Sequence, residues 1–127
     1  MTTANATALR SRYVGDAVRT ASPPRLVTML YDRLVRDLAG AEQALVERRH
    51  EAASEGMVHA QSILLELRAC LDTSKWEAAA GLAELYDFLV LELVRANVTK
   101  DVEKVSACKG MLEPLRDAWH QAARELG

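Results

Sequence analysis

The sequence predicts an all-α protein: an antiparallel up-and-down four-helix bundle with a flexible N-terminal arm. Apolar residues recur at steps of three and four along four long segments, which is the periodicity of amphipathic helices. No segment alternates in the manner of a strand. The connectors are short, so consecutive helices must run antiparallel. We expect residues 1–21 to form the arm and residues 22–127 to form the bundle.

The first helix is predicted to begin at Ser22, which can cap it, and to run to about Arg48. Two prolines follow Ser22, at positions where a helix needs no backbone N–H donor. Two neighbouring apolar stripes give this helix a wide apolar arc. The first stripe contains Leu26, Leu30, Leu34, Leu38, Ala41 and Leu45, and the second contains Val27, Tyr31 and Val35.

The second and third helices are predicted over 51–71 and 77–96, with Asn97 as a C-cap of the third. The apolar residues of the second helix alternate steps of four and three, as in the a/d seam of a coiled coil. They are Ala53, Met57, Ala60, Leu64, Leu67 and Leu71.

The fourth helix is predicted to start at Asp101, a good N-cap, and to run nearly to Gly127. Pro114 lies inside it. A proline in a helix removes one backbone hydrogen bond and crowds the carbonyl four residues earlier, here that of Gly110. We therefore expect a bend near Gly110.

The third helix is more apolar than a simple bundle requires. From Leu85 to Val94, eight of ten residues are apolar, and the exceptions are Asp87 and Glu92. Phe88 and Leu91 fall outside the core-facing arc and are adjacent on the helix surface. They predict an interaction surface for an amphipathic partner helix. A second interpretation is that the N-terminal arm covers this surface permanently.

Composition excludes several classes of protein. Lysine and arginine number 16 against 18 acidic residues, a net charge of -2, which argues against nucleic-acid binding. The N-terminus lacks the apolar core of a signal peptide, and no apolar run approaches the ~20 residues of a membrane span. We expect a cytoplasmic protein without membrane insertion. Cys70 and Cys108 are expected to be buried free thiols.

The sequence shows no convincing catalytic, cofactor or metal site, so no enzymatic activity is expected. Glu47 and His50 have the spacing of a bundle di-iron motif, but His50 lies beside two arginines and further carboxylate ligands are missing. His59 leaves one alternative function, histidine phosphotransfer by a small helical bundle. The Lys and Gly residues typical after such a histidine are absent here.

Ordered short motifs along nearly the whole chain resemble the flagellar secretion chaperone (FliS) family. They are Tyr13, Thr20-Ala21-Ser22-Pro23, Met29-Leu30-Tyr31-Asp32, Ala60-Gln61-Ser62-Ile63, Glu66-Leu67, Leu85-Tyr86-Asp87-Phe88-Leu89, Ala96-Asn97, Asp101 and the segment from Leu112 to Trp119. The resemblance implies a bundle that binds the C-terminal region of flagellin, prevents premature polymerisation and delivers flagellin to the export gate platform protein. Whether a second client, such as an anti-sigma factor, competes is left open.

The expected partner-binding residues form three groups. The resemblance implies that an arm with its Tyr lies over the groove and contributes at the export gate, so Tyr13, Val14 and Val18 are predicted to be the movable cover. Four residues of the first helix are predicted to line the groove, with plain core packing as the alternative: Leu26, Val27, Leu30 and Tyr31. From the third helix, Phe88 and Leu91 are predicted to line it.

Overall fold

The computed structural model describes residues 23–72, 74 and 77–126, which form four α-helices and no strand. The helices are α1 (Pro23–Val46), α2 (His50–Ala69), α3 (Glu77–Thr99) and α4 (Val102–Leu126). Each helix packs against the next one in the sequence, and α4 returns to pack against α1, so α1 and α3 occupy opposite corners. The predicted four-helix bundle is confirmed. The predicted cover residues Tyr13, Val14 and Val18 lie outside the described residues.

The two short connectors each contain a residue in the left-handed backbone region. Arg48 has a φ of 58° and Lys100 a φ of 55°, a conformation that commonly terminates helices. Asp101 caps the N-terminus of α4. Its Oδ1 accepts the backbone N–H of Glu103 at 3.0 Å and that of Lys104 at 3.3 Å. The N-cap predicted from the sequence is therefore present.

The third helix ends later than predicted. It continues through Asn97 to Thr99, because the Asn97 side chain serves a tertiary contact rather than a C-cap. Its amide Nδ2 donates to Ser54 Oγ on α2 at 3.0 Å, and its Oδ1 accepts from Lys100 Nζ. The helix therefore continues past Asn97 to the left-handed residue at position 100.

The core contains two tyrosines from opposite corners of the bundle. The hydroxyls of Tyr31 on α1 and Tyr86 on α3 are hydrogen-bonded at 2.6 Å, and both side chains are buried. Around them pack the predicted apolar stripes: Leu34, Leu38, Met57, Leu64, Leu89, Leu93, Val105 and Leu112 are each 0% exposed. Tyr31 is also 0% exposed. In this structure it therefore packs in the core, which was the alternative to lining the groove.

Polar pairs between the helices define their register. They lie at the edges of the seams, where partial exposure reduces the free energy of each pair. The pairs are Asp37–His59 between α1 and α2, Asp32–His120 and Glu42–Lys109 between α1 and α4, Arg68–Asp87 between α2 and α3, and Glu92–Lys104 between α3 and α4.

Candidate binding surface

An apolar cleft opens between α3 and α4, the two neighbouring helices that pack least extensively. Its volume is about 370 Å³. It lies between the N-terminal half of α3 and the C-terminal half of α4, away from the connector that joins them. The lining residues are Ala78, Leu82, Leu115, Ala118, Trp119 and Ala122. The four lining residues that belong to α4 all follow Pro114. Proline has no backbone N–H, so one backbone hydrogen bond of this helix is missing there.

A second cavity, of about 250 Å³, lies at the same end of the bundle. Trp119 lines both cavities, so its indole stands between them. The Trp119 ring also contacts Tyr31, with ring centroids 6.5 Å apart and planes tilted by 37°. The lining of the second cavity is Val27, Leu67, Cys70, Leu71, Asp72, Tyr86 and Trp119.

Phe88 and Leu91 lie on the outer face of α3, where they are 47% and 48% exposed. Leu26 and Leu30 are half-buried in the first turns of α1. Because α1 and α3 occupy opposite corners of the bundle, the structure does not bring these two pairs into a single trough. Val27, also on α1, lines the second cavity.

Sequence reasoning missed the residues that line the α3–α4 cleft. Leu115, Trp119 and Ala122 lie four and three residues apart along α4, a spacing that also fits ordinary core residues. Periodicity identifies a helix face, but it does not reveal whether a cleft opens between that face and a neighbouring helix. Pro114 directly precedes the lining residues of α4, and the bend expected near Gly110 stays a prediction.

None of the described residues that line the cleft has an ionisable side chain. At the second cavity, partial desolvation of the sulfur and the neighbouring Glu66 raise the pKa of the Cys70 thiol, and burial raises the pKa of the Tyr86 hydroxyl, so both groups stay protonated near neutral pH. In the part of the chain that the structure describes, no three His, Cys, Asp or Glu side chains group closely enough to hold a metal ion. The arrangement is suited to apolar recognition.

Two sequence expectations concern groups outside the cleft. His59 Nδ1 is paired with Asp37 at the α1–α2 seam. Cys108 is buried as expected, whereas Cys70 is exposed, and both are free thiols. The expectation of burial was therefore wrong for Cys70, which lies at the rim of the second cavity because α2 ends at Ala69. None of the described helices is both long and apolar enough to cross a membrane.

A helical bundle with an apolar cleft is an arrangement typical of proteins that bind apolar segments. Comparison with known proteins shows the family. Residues 5–126 match the family model of the flagellar protein FliS, and the chain belongs to this family. The membership that the sequence motifs predicted is confirmed.

Curated relatives carry the name flagellar secretion chaperone FliS. The protein of Bacillus subtilis (strain 168) is 33% identical over 110 residues, covering 87% of this chain and 82% of the relative. That of Salmonella typhimurium is 36% identical over 113 residues, covering 85% and 82%. A crystal structure of a flagellar chaperone from bacteria matches with a TM-score of 0.75 at 22% identity, over 90% of this chain and 94% of that one, which supports the fold.

Proposed function

We propose that this chain is a cytoplasmic type III export chaperone without enzymatic activity. In this proposal it binds the C-terminal helical region of flagellin, prevents premature polymerisation and delivers flagellin to the flagellar export gate. The observation that carries the proposal is the α3–α4 cleft, an open apolar trough between two helices of a chaperone family member.

The cleft has the shape and chemistry for an amphipathic client helix. A helix lying between α3 and α4 would bury apolar side chains against Leu82, Leu115 and Trp119, in the helix-in-groove mode of recognition. Apolar burial contributes roughly 25 cal/mol per Å². Ordering a flexible client segment subtracts several kcal/mol from that gain. The ordering cost lowers the net affinity, which suits a client that must later be released at the export gate.

The proposed cover over this surface is the N-terminal arm, residues 1–21 with Tyr13, Val14 and Val18. The position at which the arm joins α1 supports its role as the cover. In an antiparallel bundle, the start of α1 lies at the same end as the start of α3 and the end of α4, which is where the cleft opens. An extended segment of 21 residues reaches at most about 70 Å, so the arm is long enough to cross the cleft and to leave it.

The direct test is isothermal titration of the full chain with a C-terminal flagellin segment. Ala118 is exposed and lines the cleft, so Ala118→Glu places a carboxylate where the client would bury apolar surface. We expect at least about a tenfold weaker affinity. Ala39→Glu is the matched control, because Ala39 is exposed on α1, outside the cleft lining. Equal affinity for the two variants would remove the cleft from client binding.

Phe88 and Leu91 are proposed to extend the client surface onto the outer face of α3. Phe88→Glu is expected to weaken client binding while helicity stays intact, because Phe88 is already 47% exposed. Val46→Glu is the control, since Val46 is 68% exposed on α1. Undiminished binding by a folded Phe88→Glu protein would confine the client to the cleft.

A further inference from the structure

Among the described residues, only Trp119 lines both the α3–α4 cleft and the second cavity. On the cleft side its neighbours Ala118 and Ala122 are small, so the indole is the largest side chain on the α4 wall. The ring also contacts Tyr31, with ring centroids 6.5 Å apart. The position of this one ring therefore determines how deep the cleft is.

The second cavity has room for an aromatic ring. Its volume is about 250 Å³. An apolar cavity of about 150 Å³ already binds benzene, so this one leaves space for the larger indole. Val27, Leu67 and Leu71 supply apolar walls. Atoms that line an unfilled space lack contacts on one side, so a ring that enters the second cavity gains contacts.

The lining of the second cavity also suits the chemistry of an indole. An indole has a single N–H donor, which needs an acceptor when the ring is buried. The carboxylate of Asp72 lines the cavity. Its Oδ1 accepts the backbone N–H and the hydroxyl of Ser74, and because a carboxylate has about four acceptor sites, it can accept a further bond. Tyr86 offers an aromatic face in exchange for that of Tyr31.

We propose that Trp119 is a gate between the two spaces. Its indole exchanges between the position described here, against Tyr31, and a second position inside the second cavity. The exchange needs no change in the backbone, because an aromatic side chain on a helix has two common χ1 values, near 180° and −60°. A change of χ1 moves the ring across the surface of α4, on which it already borders both spaces.

The gate sets which client side chains the cleft accepts, and this consequence rests on the proposed function. With the ring against Tyr31, the cleft is shallow. With the ring in the second cavity, the cleft gains the volume that the indole leaves, and a large apolar side chain of the client helix occupies it. Trp119 is then a specificity-determining residue, and client binding shifts the ring toward its second position.

The first test fills the second cavity from its rim. Cys70 is exposed and lines this cavity, so Cys70→Phe places a ring in the space that the indole needs. Cys70→Ser is the matched control, because serine is close to cysteine in size and leaves the space open. Isothermal titration with a C-terminal flagellin segment is expected to show at least about tenfold weaker affinity for Cys70→Phe than for Cys70→Ser, because the binding-competent position is blocked.

The second test follows the ring without any client. Trp76 is the other tryptophan of the chain, so Trp76→Phe leaves position 119 as the only site that takes up 5-fluorotryptophan. Fluorine relaxation dispersion of the free protein is expected to show exchange between two positions. Cys70→Phe is expected to remove this exchange, and addition of the flagellin segment is expected to shift it toward one position.

The outcomes separate the gate from the chaperone proposal. Equal affinity of folded Cys70→Phe and Cys70→Ser proteins for the segment overturns the gate, and so does a free protein whose fluorine shows no exchange. Circular dichroism of each variant shows that it is folded. A wild type that does not bind the segment overturns the proposed function, and the exchange in the free protein then decides the gate by itself.

Discussion

At the scale of single residues, the hydrogen bond between Tyr31 and Tyr86 is the polar contact deepest in the bundle. Both hydroxyls are removed from water, and each supplies the partner that the other needs. An unpaired buried hydroxyl costs about 1–3 kcal/mol, whereas removing both partners of a pair costs less. The two tyrosines therefore stabilise the fold as a pair.

Replacing one tyrosine tests this coupling. Tyr31→Phe leaves the Tyr86 hydroxyl without its core partner and is expected to lower the free energy of unfolding by about 1–3 kcal/mol. Adding Tyr86→Phe to that variant is expected to cost less than Tyr86→Phe costs in the wild type. Urea unfolding of the four proteins in a double-mutant cycle measures the difference. Strictly additive effects would show that the hydroxyls do not interact.

Burial also predicts how stability depends on alkaline pH. Desolvation raises the pKa of both Tyr31 and Tyr86 above the value of a free tyrosine, which is about 10. Above that pH the unfolded chain releases phenolic protons that the folded chain retains, so stability falls as pH rises. The melting temperature is expected to fall more steeply between about pH 9 and 11 in the wild type than in the variant with both phenylalanines. Equal slopes would contradict this expectation.

At the scale of helices, the α1–α2 contact depends on a glycine. A Cβ atom at Gly56 would lie 3.2 Å from the carbonyl oxygen of Asp37 and 3.3 Å from Ala41 Cβ. Both atoms belong to rigid parts of α1, so neither can yield without moving the helix. The close approach at Gly56 is thus built into the backbone of α2.

Alanine substitutions at two helical glycines are therefore expected to have opposite effects. Gly56→Ala should lower the free energy of unfolding by about 1–3 kcal/mol, because it separates α1 from α2. Gly40→Ala should raise it by roughly 0.5–1 kcal/mol, because a Cβ at Gly40 meets nothing within 4 Å and alanine favours helix. Chemical denaturation of both variants measures whether each substitution raises or lowers the free energy of unfolding. Stabilisation by Gly56→Ala would show that the helices adjust freely.

The helices were predictable to the extent that local chemistry determines them. Asp101 caps α4 as its side chain suggested. The a/d seam of α2 is buried from Ala53 to Leu67 as its spacing suggested, whereas Leu71 lies beyond the end of the helix and is half-buried. The prediction failed at Asn97, where a local C-cap signal was outweighed by a hydrogen bond to Ser54, 43 residues away in sequence. A tertiary partner of this kind is not visible in local sequence.

At the scale of the whole molecule, the family and the bundle were predictable from the sequence, whereas the α3–α4 cleft was not. Phe88 and Leu91 are exposed, as their position outside the apolar arc indicated. Tyr31 is buried in the core, because it faces Tyr86 on the opposite helix. The α3–α4 cleft depends on how far two helices diverge, and no single helix pattern records that distance.

Whether the client helix occupies the α3–α4 cleft can be measured by site-specific photo-crosslinking. A benzophenone amino acid at position 118, in the cleft, is expected to crosslink the C-terminal segment of flagellin. The same group at exposed position 39 on α1 is expected to give little product. Equal crosslinking at the two positions, or crosslinking at position 39 alone, would contradict the claim.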